Sequence, residues 1–274
     1  MNAWNLDPLE LGMLVLAAAL YGRRASTLRR RGRPVRPLRL ASFAAGLLAL
    51  FVALVSPVDT IGGERLFSVH MLQHLLLGDV GALLLVLGLD GRLLRPLLRV
   101  RTVHRLRVLA HPLVALPLWA ANFVVWHVPA LFDAALRNDA VHALQHSLFV
   151  ALGMLMWAAL VEPLPGPAWF TAPWKIPYVL GMWLVMLILS QVFIWSSHVY
   201  YAPYAHDPTL WGLTHLADQK AGGGVMLVES AFTMLPALVW VLLMVLRESE
   251  ARQRLVDAGV APAAAARAAR YGRA

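Results

Sequence analysis

VHMLQHLLLGDVGALLLVLGL, residues 69–89, decides the fold. It is one apolar run interrupted by two His, a Gln and Asp79, and it is long enough to cross a bilayer. A hydrocarbon core of ~30 Å needs ~20 mostly apolar helical residues. Working outward, six more such runs follow the same rule: 4–21, 40–56, 112–131, 142–162, 177–197 and 223–246. The pattern predicts an all-α polytopic membrane protein with seven transmembrane helices. Residues 1–246 form the membrane domain and 247–274 a cytoplasmic C-terminal tail. Pro112 and Pro117 predict a kink one turn into the fourth span. The Arg-rich stretch 22–39, with Pro34 and Pro37, reads as a solvated loop. The tail, which opens RESEARQR, reads as a fraying surface helix.

Composition agrees. Of the 274 residues, 59% are apolar, only 14% are charged and none is Cys. A soluble domain carries about 25% charged residues. An ordinary cytosolic enzyme, a disordered chain and a disulfide scaffold are thereby excluded. So are thiol catalysis, Cys-ligated zinc, iron–sulfur clusters and thiolate copper chaperoning.

The net charge of +9 is unevenly placed. Segments 22–39, 90–111, 163–176 and 247–274 together hold 21 Lys and Arg, whereas the opposite side has Arg65, Arg137 and Lys220 alone. The positive-inside rule then expects the N-terminus outside and the C-terminus cytoplasmic, in the cell (inner) membrane. Loop arginines of this kind signal topology and contact with anionic membrane lipid. Nucleic acid is not an expected partner, because its readers need a folded basic face. MNAWNLDPLELG has no basic n-region, so the first span is expected to be retained rather than cleaved.

The histidines cluster at one depth. Of ten, His104 and His111 lie in a basic loop, and the other eight lie at the outer ends of spans or in outer loops. His70-Met71-Leu72-Gln73-His74 and His142-Ala143-Leu144-Gln145-His146 share the pattern H-x-L-Q-H. Residues i and i+4 occupy one helix face. Each pair therefore offers two imidazoles at little ordering cost, and a metal needs several within about 2 Å. His127 closes the fourth span and His198 the sixth. The intervals from His74 to His127 and from His146 to His198 are 53 and 52 residues, which suggests two repeated hairpins. A lone interfacial His is commonly just hydrogen-bonded. Six at one depth, expensive to bury in a membrane, point to a metal or haem site. His206 and His215 lie in the last outer loop, ahead of Asp218 and Gln219. Asp79 falls opposite His70 on its helix and is expected to face another span. Gln191, two turns before His198, is a candidate support for that ring. Glu229 reads equally as an ion carrier or a hydrogen-bonding partner between helices. Met71 is a soft donor beside His70, but Met in a span is usually packing. Asp133 and Asp139 flank Arg137 in an outer loop, where they solubilise it or add carboxylate ligands.

Imidazole-rich sites without thiolate suit copper, zinc or haem iron. No G-x-x-x-x-G-K or D-K-T-G motif supports nucleotide-driven transport, and no Ser-His-Asp order is evident. Three readings remain: a copper-binding protein, a b-type cytochrome with haem between His74 and His146, and an intramembrane zinc hydrolase using three His with Asp218 or Asp133.

HMLQHLLL at 70–77, WHVPALFDAAL at 126–136, VHALQHSLFVALGMLMW at 141–157 and LADQKAGGGVM at 216–226 resemble the polytopic, seven-span CtaG family of cytochrome c oxidase assembly proteins. The resemblance covers roughly 40–246. It maps the family's outer-side histidines onto His70, His74, His127, His142 and His146. It maps the Trp-His-x-Pro motif onto Trp126, His127 and Pro129, and the Asp-Gln pair onto Asp218 and Gln219. It implies a role in maturing a haem–copper oxidase by handling copper at the outer face. Gly78-Asp79-Val80-Gly81 and Glu229 depart from the family pattern and fit a copper transporter as well. The expected ligand set is His70, His74, His127, His142, His146, His198 and Asp218. The expected partners are an oxidase subunit or a periplasmic copper carrier. Ion handling of this kind breaks no substrate bond, so no enzyme is expected. Protonated imidazole does not ligate, so copper occupancy is expected to fall as pH drops through ~6.5.

Overall fold

The computed structural model describes residues 4–205 and 210–271, and among the described residues every regular element is helical. Helix α1 (Pro8–Arg30) is capped by Asp7, which accepts from the N–H groups of Leu9 at 2.7 Å and Glu10 at 3.3 Å. It stops just short of Gly32, whose φ of +69° is free of strain only without a Cβ. Most of the basic stretch expected as a loop is thus helical. Ala, Leu and Arg favour helix, and no Pro falls between Pro8 and Gly32. Helix α2 (Pro37–Val55) lies alongside. The Asn5 N–H donates to Val55 O at 3.0 Å at one end, and Arg24 donates to Arg92 O at 2.7 Å at the other.

Pro57 ends α2 by holding Ser56 extended and opens α3 (Pro57–Glu64). Helix α4 (Phe67–Gly88) contains a wide π turn at Leu76–Gly81. Helices α5 (Pro112–Trp126) and α6 (Pro129–Arg137) meet at 74°. The expected kink at Pro117 is therefore displaced. Pro117 stays inside α5, and the chain breaks at His127 and Val128, where Val128 is forced extended by Pro129. Helix α7 (Asp139–Val161) is capped by Asn138 and ends at Glu162 in the left-handed region. Gly153 of α7 lies so close to Gly78 of α4 that a Cβ there would overlap the Gly78 backbone. Small residues permit this main-chain approach between membrane helices. Helices α8 (Ala172–Ile194), α9 (His215–Asp257) and α10 (Pro262–Tyr271) complete the bundle.

Among the described residues five helices, α2, α4, α7, α8 and α9, are long and apolar enough to cross a membrane, and the bent pair α5–α6 makes a sixth if it is one span. This count does not confirm the expected seven. In α1 only twelve residues separate Glu10 from Arg23. They rise about 18 Å at 1.5 Å per residue, short of the ~30 Å core. The expected boundary at 246 falls inside α9. The expected loose tail is tied down: Arg270 donates to Ala168 O at 2.6 Å and pairs with Glu162 at 3.3 Å, and Glu162 also pairs with Lys175 at 3.1 Å.

Candidate functional site

The first H-x-L-Q-H pentad lies in the opening turns of α4. Asp218, in the first turn of α9, accepts from the N–H groups of Phe67 at 2.7 Å and Ser68 at 3.1 Å, and from the Ser68 hydroxyl at 2.5 Å. These are the unpaired donors of a helix N-terminus. Asp218, expected as a ligand, thus caps α4, and both its oxygens are engaged there. Gln219 accepts from Tyr200 N–H and donates to His198 O, each at 2.8 Å.

Rings from α4, α7 and the α5–α6 break converge on one buried volume. The Nε2 atoms of His70 and His74 are 2.8 Å apart. His142 and His146 lie with ring centres 4.1 Å apart. Between the pairs, His70 to His142 and His74 to His146 are each 5.7 Å, and His127 is 6.2 Å from His74. Phe149 stacks on His74 at 4.4 Å.

The hydrogen bonds assign the tautomers. Burial pushes the Tyr204 hydroxyl well above its usual pKa, so it keeps its proton and donates to Gly62 O at 2.5 Å. His70 Nδ1 faces the Tyr204 oxygen at 3.1 Å and Gly62 O at 3.3 Å, and therefore carries hydrogen. A neutral imidazole has one N–H. His70 Nε2 is then a lone pair that accepts from His74 Nε2–H. His74 Nδ1 is left as a buried lone pair without a hydrogen-bond partner. His127 Nδ1 donates to Phe123 O at 2.6 Å, so its Nε2 is also a bare lone pair, and it faces Met71 Sδ at 3.4 Å. Two soft donors meet there with no hydrogen between them. His142 Nε2 and His146 Nε2 are buried and unpartnered as well.

Among the described residues no group of three or more His, Asp or Glu is disposed to hold a metal ion as it stands. Ligation needs nitrogens about 2 Å from a shared point. Here His70 and His74 spend one nitrogen each on the other, and the two pairs stand a ring's width apart.

His198 is exposed, with its carbonyl rather than its ring engaged. Helix α8 stops at Ile194, so His198 is carried into the loop beyond. The expected repeat therefore holds for the two pentads and fails at the return histidine. Gln191 accepts from Trp195 and does not support His198. His111 caps α5 and His215 opens α9. His206 lies outside the described residues. Asp79 does face other spans: it accepts from Trp157 Nε1 at 2.8 Å and Thr233 Oγ1 at 3.1 Å. Met71 was expected as packing. Its register, one residue past His70, turns the sulfur toward the α5–α6 break, and the sequence carries no sign of that break except Pro129.

A family model described as cytochrome c oxidase caa3 assembly factor (Caa3_CtaG) matches residues 19–248. The chain belongs to this family. The matched segment includes His70, His74, His127, His142 and His146, with Met71 and Asp218. The Caa3_CtaG match thus spans α2 to α8 in full, about half of α1, and α9 as far as residue 248. Relatives include uncharacterized protein Mb0105 of Mycobacterium bovis and uncharacterized protein MT0111 of Mycobacterium tuberculosis. Each is 27% identical over 278 residues, covering 94% of this chain and 41% of the relative. Uncharacterized protein ML1998 of Mycobacterium leprae is 24% identical over 248 residues, covering 82% of this chain and 36% of that protein. The chain spans about two fifths of the length of these relatives. No solved structure matches it.

Proposed function

We propose that this Caa3_CtaG protein takes up copper on its buried histidines and passes it to a haem–copper oxidase subunit or a periplasmic copper carrier. The observation that carries the reading is the Met71–His127 contact. A thioether and an unprotonated imidazole at 3.4 Å, with no proton to bond them, form a soft donor pair. The unpartnered ring nitrogens of His74, His142 and His146 extend that donor set. In this reading the ion is cargo. It is held by neutral imidazoles and released as a partner's ligands replace them one at a time, with no substrate bond broken. His198 and Asp218 take no part, since one is exposed and the other caps α4.

The same reading sets the orientation. Arg24, Arg92, Lys175 and Arg270 gather at the end opposite the histidines. On the positive-inside rule these basic residues support a histidine end that faces outside the cell membrane.

Metal analysis and an optical spectrum of the purified protein test the proposal together. Copper at stoichiometric level is expected in the wild type, and its loss is expected in the double variant His70→Ala, His142→Ala. Full copper retention in that variant would overturn the assignment. A Soret band instead of copper would favour the b-type cytochrome. Zinc with hydrolytic activity lost on chelation would favour the hydrolase.

A further inference from the structure

A cavity of about 790 Å³ lies between α1, α2 and α7. Its walls are apolar, with Leu14, Phe43, Leu50 and Met154 among them. Its outer end is acidic, lined by Asp7, Glu10, Asp59 and Asp139. Among the described residues, no Lys or Arg lines it. His142 and His146 form part of its wall. His146 is only 5% exposed, and its Nε2 has no hydrogen-bond partner. Asp59, Asp139 and His142 share its lining. Asp59 also accepts from Gln73 Nε2 at 2.6 Å, which ties the mouth of the cavity to the first pentad.

Asp7, Asp59 and Asp139, set in low-dielectric walls, focus a negative potential at the mouth, while burial and the charges of Asp59 and Asp7 push the pKa of Glu10 up to about 7. Such a mouth repels anions and gathers cations. Behind it the donors soften step by step: carboxylate oxygen, then the imidazoles of His142 and His146, then His74, and finally His127 with the Met71 thioether. Thiophilic, imidazole-seeking Cu(I) gains at each step inward, whereas a hard cation such as Mg²⁺ gains only at the first.

We propose that this lateral cavity is the route by which Cu(I) reaches the buried histidines, with Asp59 and Asp139 gathering the ion and His142 receiving it first. The inference rests on the copper reading above. The acids steer the ion and are not its final ligands.

The test uses the purified, metal-free full chain in lipid nanodiscs and follows Cu(I) transfer from a coloured Cu(I) chelator by stopped flow. Asp59→Asn with Asp139→Asn is expected to slow uptake about tenfold at low salt, the scale of electrostatic steering, and to flatten its salt dependence. The final stoichiometry should remain that of the wild type. Ala143→Trp adds bulk to the cavity wall without touching a charge, and should also slow uptake. It covers the case in which the double variant fails to fold. Glu64→Gln removes an exposed outer carboxylate that does not line the cavity, and should load like the wild type. Wild-type rates in both Ala143→Trp and the double variant would overturn the route while leaving the copper reading standing. A lowered stoichiometry at unchanged rate would overturn it too, by making the acids final ligands. A wild-type protein that takes up no Cu(I) would sink the copper reading itself.

Discussion

The two H-x-L-Q-H pentads share four of five residues and have opposite environments. On α4 most polar side-chain atoms are bonded, with His74 Nδ1 and Gln73 Oε1 the exceptions. His70 and His74 share a hydrogen bond, His70 is held by Gly62 and Tyr204, and Gln73 donates to Ala53 O at 2.9 Å and Asp59 at 2.6 Å. On α7 little is bonded. Gln145 is buried with neither amide atom partnered, and the Nε2 atoms of His142 and His146 are unpartnered too. The first pentad is a fixed scaffold, and the second keeps its donors free beside a cavity. An identical pattern on one helix face sets which side chains meet. Neighbouring elements decide which of them have spare bonding capacity.

The largest expected effect comes from forcing the pentads apart. Gly153→Ala places a Cβ on the Gly78 backbone, and overpacking of this sort costs about 1–3 kcal/mol or more. The thermal midpoint in detergent should fall and copper occupancy with it. An unchanged midpoint would mean that α4 and α7 do not touch at these glycines. Next comes the contrast in the two glutamines. Gln73→Leu removes two hydrogen bonds and strips Asp59 of a donor, for a loss of about 1–3 kcal/mol. Gln145→Leu removes an amide with no partner, so it should leave the midpoint unchanged or raise it. Equal losses at both positions would erase the distinction between the pentads. Smaller again, Asp218→Ala should lower the midpoint by the loss of a helix cap, about 1–2 kcal/mol, while copper stays bound. His198→Ala should change neither quantity. Loss of copper in either variant would restore that residue to the ligand set.

Much of this molecule was legible in its sequence. Long apolar runs fixed five spans, and i,i+4 spacing brought His70 to His74 and His142 to His146. What escaped was set by contacts distant in the chain. Asp218 caps a helix about 150 residues earlier, and an acid next to a Gln in an outer segment looks the same whether it caps or ligates. His127 and His198 occupy equivalent places in the repeat, but the turn at Val128-Pro129 folds one inward while the chain after Ile194 carries the other out. The π turn at Leu76–Gly81 has no period of its own to read, since two glycines inside an apolar run fit an ordinary helix equally well. Helix α1 was misjudged at both ends, because apolar periodicity does not count the acid and the arginines that shorten its greasy stretch.

Tyr201 and Tyr204 have a bearing on how anything docks here. Their hydroxyls bond the His127 carbonyl, Gly62 and His70, so the strand of chain after α8 is sewn across the top of the imidazoles. A carrier arriving end-on from the aqueous side meets phenol rings instead of nitrogen. In the copper reading, a partner reaches His142 and His146 from the flank, through the cavity that they line with α1 and α2.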